Sequence, residues 1–269
     1  MSSERSARGT SHTERVFAVQ QAFVALGGGA QRLTDIARAA DLDDSTVSRI
    51  LTSGTYKKTF VRAGRGLYQL GTGAADLGLY ALSDDNLSGD ESRQVLQNLR
   101  LQTDGGLVFL YLKAPFGGAG RQCYDMAVGD SDLIELGMTP RDVLFVSRSL
   151  RTGASGRTIL AFMNESIQKR VAHGPIPDEA GPGIIRDGEE FLASLADIRE
   201  QGFALGRQEC MANWNSVAAP VIWDDTIQGA VLMLKPVHVM PDAPQHFIDA
   251  TVKAAAQLSQ LGGGWPTDQ

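Results

Sequence analysis

The stretch LTDIARAADLDDSTVSRIL, residues 33–51, decides the fold of the first part of the chain. Thr34 is the predicted N-cap of a helix, and Asp35 lies in its first turn, where the helix dipole favours an acid. That helix is expected to end near Ala40. Residues 41–43 leave room only for a tight turn before another helix begins. Two helices joined in this way predict a helix-turn-helix.

The helix after this turn carries the residues that could contact a partner. Asp44 or Ser45 is its predicted cap, and Val47, Ile50 and Leu51 form its inward stripe. At about 100° per residue, the opposite side carries small hydroxyls and one arginine. Hydroxyls can bond phosphates or base edges, and arginine can pair with guanine. The alternative is a solvated helix in a winged helix that binds protein.

Segments on both sides extend the helix-turn-helix to a winged form. A helix over 15–26 is stopped by Gly27 to Gly29, and short strands over 60–62 and 67–70 flank the turn 63–66. The order helix, helix, helix, hairpin is typical of a winged helix-turn-helix. A domain with this order of elements is expected to bind double-stranded DNA.

The wing carries two arginines, Arg62 at the end of its first strand and Arg65 in its turn, which could reach a phosphate or the minor groove or could simply be solvated. Glycine is costly inside a helix, so the sequence leaves two possibilities: the third helix ends early, near Ser53, or it continues through Gly54. The residues predicted to bind DNA are Thr34, Ser45, Thr46, Ser48, Arg49, Thr52, Arg62 and Arg65.

The chain after residue 90 has the pattern of a separate α+β domain. A helix over 74–82 rich in small residues leads to the polar stretch SDDNLSGD, residues 83–90, which we interpret as a boundary. Helices and hairpin-linked strands are then mixed, as in an α+β fold. The predicted helices lie over 91–102, after Asn164, over 191–198 before Gly202, and over 242–261. The predicted strands lie over 107–113, 122–128, 217–222 and 230–235, with a turn over 223–229.

Composition restricts the classes of function. The net charge is −6, yet residues 1–82 hold ten Lys and Arg against seven Asp and Glu, which favours a polyanion-binding module on an acidic partner domain. Cys123 and Cys210 stand in no metal-ligand spacing, so we expect no metal, cofactor or disulfide framework. The sequence lacks a long apolar run and a signal-peptide pattern, which predicts a cytoplasmic protein without membrane contact.

An enzyme is the less favoured interpretation. Gly153 to Gly156 hints at the nucleophile elbow of a serine hydrolase, with Ser155 as nucleophile. That motif requires glycine where Arg157 stands, and no strand-forming run leads into it. We therefore predict no catalytic residues and keep a hydrolase built on Ser155 as a distant alternative.

Several segments in order resemble the IclR family of bacterial transcriptional regulators. LTDIARAADLDDSTVSRIL and FVRAGRGLYQLGTGAADLG resemble its winged helix, and LRTGASGRTILAF, IREQGFAL and SVAAPVIWDDTIQGAVLML resemble segments of its second domain. The resemblance implies an α+β fold. Its parts are a winged helix-turn-helix over 14–80, a linker helix and loop over 74–90, and a GAF-like α/β sandwich with a mainly antiparallel sheet over 91–262. Because one winged module makes few contacts, DNA binding also predicts a homodimer or homotetramer.

The same resemblance implies an effector pocket in the second domain. Ala154, Ser155 and Ser216 match pocket positions, and a helix starting near Ala154 would favour a carboxylate or other anion. Four departures from the family pattern suggest a pocket of another shape, closed by Trp214 and offering a cation to an anion; they are Arg207, Trp214, Met233 and Lys235. The predicted function is a DNA-binding regulator whose second domain binds a small anionic or aromatic metabolite. The alternative is a ligand-binding module whose winged helix contacts protein.

Overall fold

The computed structural model consists of two compact units, residues 1–84 and 85–269. The division falls inside the polar stretch 83–90. No helix among the described residues is long and apolar enough to cross a membrane. The structure describes residues 11–83, 89–114, 119–129, 133, 139, 143–144, 146–178, 180–242 and 245–262.

The first unit is a three-helix domain with a small antiparallel sheet. The sheet has the order β1-β3-β2, so the predicted hairpin is confirmed and a third strand, β1, joins it. Two residues are too few to show a strand period, which is why β1 escapes sequence reasoning. The elements are α1 (His12–Ala25), β1 (Gln31–Arg32), α2 (Leu33–Ala40), α3 (Asp44–Tyr56), β2 (Phe60–Gly64), β3 (Leu67–Leu70) and α4 (Thr72–Ser83).

The core of this unit is built from the helical stripes and one strand. Val47, Ile50 and Leu51 are buried, as their spacing predicted. Phe60 of β2 stacks on Phe23 of α1, with ring centroids 5.5 Å apart. This contact fixes the hairpin against the helices.

Two predicted caps are wrong. Thr34 lies inside α2, whose N-cap is Arg32 without a side-chain bond, because β1 runs directly into the helix. The backbone N–H of Leu33 donates to Gly66 O at 3.1 Å instead. Asp43, one residue before the predicted caps, caps α3 by accepting from the backbone N–H of Thr46.

The second unit has one six-stranded sheet of order β6-β5-β4-β9-β8-β7, in which all neighbours are antiparallel. Its helices are α5 (Gly89–Gln102), α6 (Gly153–Ala161), α7 (Glu165–Ala172), α8 (Gly188–Gln201) and α9 (Gln245–Gly262). Its strands are β4 (Leu107–Lys113), β5 (Gly120–Ala127), β6 (Arg148–Ser149), β7 (Ala204–Arg207), β8 (Trp214–Trp223) and β9 (Thr226–Pro236).

Each face of this sheet has its own hydrophobic core. Helices α6 and α8 pack on one face, and α5 and α9 pack on the other, so the strands alternate between the two cores. The predicted α+β sandwich with an antiparallel sheet is confirmed. The predicted turn 223–229 is too long, because Asp224 and Asp225 alone make the connection, with φ of 46° and 59°. Asp tolerates this left-handed conformation, which suits a two-residue hairpin loop.

Candidate DNA-binding face and effector site

The outward side of α3 presents Ser45, Arg49 and Thr52 as exposed side chains, with Ser48 half-buried. Thr46 differs from the prediction because only 6% of it is exposed. Its hydroxyl donates to Asp43 Oδ2 at 2.8 Å, which draws it toward the cap instead of the solvent. The face that α3 offers to a partner is therefore narrower than predicted.

Asp43 lies at the edge of this face and holds two of its hydroxyl groups. Its carboxylate accepts hydrogen bonds from the Ser45 hydroxyl and from the backbone and hydroxyl of Thr46. These bonds hold the pKa of Asp43 well below its ordinary value, the Ser45 bond contributing most. Asp43 thus remains ionised, and its carboxylate points toward the N-terminus of α3. The Ser45 hydroxyl is engaged in the unbound protein.

A run of cations without a counter-charge follows. Residues 45–75 contain no Asp or Glu, and the five cations of this run all have exposed side chains: Arg49, Lys57, Lys58, Arg62 and Arg65. Tyr56, at the end of α3, is 84% exposed, a large aromatic surface that sequence reasoning did not single out. Phosphates attract such a surface at any sequence. Arg62 and Arg65 of the wing are exposed, which either a solvated turn or a phosphate contact allows, and their contact with DNA stays a prediction.

Two glycines hold the loop that carries Lys57 and Lys58. The N–H of Gly73 donates to Lys58 O and the N–H of Gly71 donates to Thr59 O, both at 2.9 Å. A Cβ at Gly71 would overlap Lys58 O, and one at Gly73 would lie 2.5 Å from Lys57 O. The start of α4 therefore fixes the loop. The two glycines in the sequence GTG are the signal that could have revealed this contact.

Gly54 does not end the third helix, so the second of the two possibilities is the one observed. Helix α3 continues to Tyr56, and the backbone at Gly54 lies against the ring of Phe60. A Cβ at this position would overlap that ring. Close packing, rather than helix termination, explains the glycine.

In the second unit, four of the predicted effector residues belong to the sheet face that α6 covers. Ala154 and Ser155 lie in the first turn of α6 and are fully buried. The backbone of Gly206 on β7 approaches Ala154 and the hydroxyl of Ser216 so closely that a Cβ would overlap that hydroxyl. Trp214 packs against the same core. These four residues therefore lie on the same side of the sheet, and their role as an effector site stays a prediction.

The other three predicted effector residues are turned toward the opposite face. Met233 lies in the core with α5 and α9, and the Lys235 ammonium donates to Asp104 O at 2.6 Å. Arg207 is exposed and reaches Asp242 at 3.5 Å. Side chains along a strand alternate between the two faces of the sheet. Matching sequence positions to the family does not show this alternation, so these three residues were assigned to the face that α6 covers. Grouping them with Ala154 and Ser155 was incorrect.

Buried charges surround α6, and sequence reasoning missed them. Arg157 Nε donates to Glu209 Oε2 at 3.0 Å, and its Nη2 donates to Leu205 O at 2.6 Å. Arg121 and Arg151 are also buried, with 1% and 2% of each exposed. Arginines in a sequence predict solvated positions, so only the fold could place these three inside.

Neither a metal centre nor a nucleophile is formed by these groups. In the part of the chain that the structure describes, no group of three His, Cys, Asp or Glu side chains could hold a metal ion. The Ser155 hydroxyl is buried and bonds to none of the described residues, a histidine included. Within the described part of the chain, Ser155 therefore has no hydrogen-bonded base of the kind that activates a serine nucleophile.

Comparisons with known proteins agree with this architecture. An IclR transcriptional regulator from Alicyclobacillus acidocaldarius aligns with a TM-score of 0.56 at 22% identity, over 93% of this chain and 98% of that chain. Thermotoga maritima IclR gives 0.55 at 20%, over 94% and 98%. An IclR homolog from Microbacterium hydrocarbonoxydans, complexed with 4-hydroxybenzoate, gives 0.54 at 19%, over 94% and 99%. At these identities, the likeness shows the fold.

The sequence comparison identifies the second unit. A search among curated proteins found no match. Residues 146–260, however, match the family described as bacterial transcriptional regulator IclR C-terminal. This segment contains the α6 site and the strands around it. Residues 146–260 are thus similar to the C-terminal domain of the IclR family of bacterial transcriptional regulators, and over this segment the resemblance seen in the sequence is confirmed.

Proposed function

We propose that this protein is a cytoplasmic, homo-oligomeric transcriptional regulator that binds an operator in double-stranded DNA through its first unit. The carrying observation is the run 45–75, which follows Asp44 on α3 and continues through the hairpin with five exposed cations and no Asp or Glu. Phosphates would meet Lys57, Lys58 and the wing arginines, while Arg49 lies on the side of α3 that can enter a groove.

One winged helix makes few contacts, so useful affinity requires two copies on two half-sites. The homo-oligomer supplies them. A small ligand in the second unit then modulates operator binding, provided that it binds the DNA-competent and DNA-incompetent states with different affinity. The proposed ligand site is the first turn of α6 with Ala154, Ser155, Ser216 and Trp214.

The chemistry of that site favours a small anionic or aromatic metabolite. Free N–H groups at the start of a helix attract anions, and the Trp214 ring adds an apolar surface. The complex of the Microbacterium homolog with 4-hydroxybenzoate, which is both aromatic and anionic, supports this class. The identity of the ligand does not follow from that homolog.

The test is footprinting of the full-length protein on the DNA beside its own gene, followed by affinity measurements on the protected site. Arg49→Ala should weaken specific binding by about 1–3 kcal/mol if the arginine pairs with a base. The matched control is Arg38→Ala, an exposed arginine of α2 that pairs with Asp35. Unchanged affinity in Arg49→Ala would remove the base-reading role.

Salt dependence separates this proposal from a winged helix that binds protein. Operator binding should fall steeply with salt. The double change Lys57→Ala with Lys58→Ala should reduce the slope of log K against log salt by about 0.9 for each phosphate that the protein no longer neutralises. No DNA retardation at low salt, together with no protected site, would favour the protein-binding alternative.

A further inference from the structure

Tyr56 lies on the outward side of α3, one turn beyond the side chains of this helix that are predicted to bind DNA. At about 100° per residue, its position repeats that of Ser45, Arg49 and Thr52, so all four side chains share one face of the helix. Tyr56 is 84% exposed. Because α3 does not stop at Gly54, the face that can meet DNA continues for this further turn.

The distance from Arg49 to Tyr56 matches the step from base edges to phosphates. Tyr56 comes seven positions after Arg49, which places it about 10 Å further along the helix axis. A recognition helix contacts base edges with its N-terminal residues, and the major groove is only about 12 Å wide. With Arg49 at the bases, Tyr56 therefore faces the phosphates at the border of the groove.

The loop after α3 folds back over the C-terminal end of the helix. The N–H of Lys58 donates to Thr55 O at 3.1 Å, and the N–H of Thr59 donates to Gly54 O at 3.0 Å. The Thr55 hydroxyl donates to Thr52 O at 2.6 Å. These bonds occupy carbonyl oxygens whose partial negative charge would otherwise repel a phosphate. This end of the helix is therefore open to an anion.

Lys58 occupies a backbone position that favours glycine. Its φ is 56°, in the left-handed region, which is unfavourable for a residue with a side chain and is usual for glycine after a helix. The N–H of Gly73 donates to Lys58 O at 2.9 Å and holds the loop in this conformation. The lysine side chain is exposed, two residues from Tyr56. Backbone strain of this kind clusters at functional sites.

We infer that the C-terminal end of α3 is a phosphate-binding site of this regulator, in which the Tyr56 hydroxyl and the Lys58 ammonium bind the DNA backbone at the border of the groove. This inference rests on the DNA binding in the proposed function. A tyrosine hydroxyl can donate a hydrogen bond to a phosphate oxygen, and Lys58 adds a charge that no acid of 45–75 offsets. Such contacts position α3 in the groove without reading the base sequence.

Three variants separate the contributions of the two side chains. Tyr56→Phe removes only the hydroxyl and should weaken DNA binding about tenfold, the loss expected for a hydrogen bond to a charged group. It leaves the dependence on salt unchanged, because no charge is lost. Lys58→Gly removes the cation and should reduce the slope of log K against log salt by about 0.9, whereas Lys58→Arg should retain that slope.

Lys58→Gly also separates DNA binding from stability. Glycine adopts the left-handed conformation without a steric cost, so this variant should unfold at a higher temperature than the native chain while it binds DNA more weakly. A purely structural role of Lys58 would not produce these opposite changes. The matched control for Tyr56→Phe is Tyr68→Phe, which removes the hydroxyl of a half-buried tyrosine packed on the core of the first unit and should keep native affinity.

The experiment is a fluorescence anisotropy titration of the full-length protein with the duplex that footprinting protects and with an unrelated duplex of the same length. The loss in Tyr56→Phe should be equal on both duplexes, because a phosphate contact is independent of sequence. Methylphosphonate substitutions along the protected duplex then neutralise one phosphate at a time. At least one substitution that weakens binding of the native chain should leave binding of Tyr56→Phe nearly unchanged, as expected for two groups in one contact.

Several results would overturn the inference. Native affinity in Tyr56→Phe, a loss confined to the protected duplex, or an unchanged salt slope in Lys58→Gly would each do so. If Tyr56→Ala abolishes self-association in sedimentation and leaves DNA affinity unchanged, Tyr56 belongs to an interface between copies of the chain instead. DNA binding that none of these variants alters rejects this inference alone, whereas a native chain that binds neither duplex rejects the proposed function as well.

Discussion

The two units of this protein place their polar chemistry differently, one on its surface and the other in its interior. In the first unit, Thr46 is the one buried polar residue among those described, and the five cations of 45–75 are all exposed. In the second unit, arginines, a glutamate and several hydroxyls lie inside around α6. A surface that meets a large polyanion needs no cavity, whereas a site for a small molecule must remove it from water.

Because of this difference, ion pairs are expected to contribute unequally to the stability of the two units. An exposed ion pair contributes little to stability, since water solvates both charges when the pair breaks. A buried pair that loses one partner leaves an uncompensated charge in the interior. Breaking one pair in each unit therefore tests the difference.

The largest effect is expected from Glu209→Ala. Its carboxylate faces Arg157, and the two side chains are only 6% and 7% exposed. Removing it should lower the free energy of unfolding of the second unit by about 3–5 kcal/mol. The matched change in the first unit, Asp35→Ala, breaks the exposed pair with Arg38 and should cost less than about 1 kcal/mol.

Urea unfolding of the full-length chain measures both changes. The double variant Arg157→Met with Glu209→Leu should recover most of the stability that Glu209→Ala removes, because it takes away both charges and keeps apolar volume. Similar, small losses in Glu209→Ala and Asp35→Ala would remove the energetic contrast between the units.

Gly54→Ala is expected to change the stability of the first unit by a smaller amount. The sign of the change distinguishes two explanations of this glycine. Helix propensity alone predicts that this change stabilises α3 by about 1 kcal/mol. Overlap of the new Cβ with Phe60 predicts a loss of about 1–3 kcal/mol instead. Thermal unfolding decides between them, with exposed Ser53→Ala on the same helix as control. A stabilised Gly54→Ala would mean that the Phe60 ring does not restrict this position.

The sequence predicted the first unit better than the second for a physical reason. The stripe Val47, Ile50 and Leu51 repeats at the helix period, so both its buried side and the outward Arg49 follow from spacing. The sequence could not decide the effect of Gly54, because helix propensity is local, while Phe60 contacts this glycine from the next strand. Thr46 was misplaced because the cap begins at Asp43, one residue before the predicted caps.

In the second unit, the sequence predicted where the strands lie but not which face of the sheet each side chain occupies. Met233 and Lys235 are on β9, yet β9 supplies side chains to two cores, and only the pairing shows which residues meet α6. Arg121 gave no signal, because an arginine near a loop is normally solvated. Its burial depends on Tyr111 and on the two glycines of α6, which are distant in sequence.

The smallest effect concerns the cap of α3 and depends on pH. Hydrogen bonds from Ser45 and Thr46 hold the pKa of Asp43 below its ordinary value of 3.8, so the ionised cap stabilises the first unit above that pH. The stabilisation is lost as pH falls from 3.8 toward the lowered folded pKa. The gap in unfolding temperature between the native chain and Asp43→Ala should therefore be widest near neutrality and shrink below pH 3.8. Asp43→Asn keeps an uncharged acceptor and should show less dependence on acid; a gap that stays constant with pH would mean that the ionised carboxylate does not stabilise this helix.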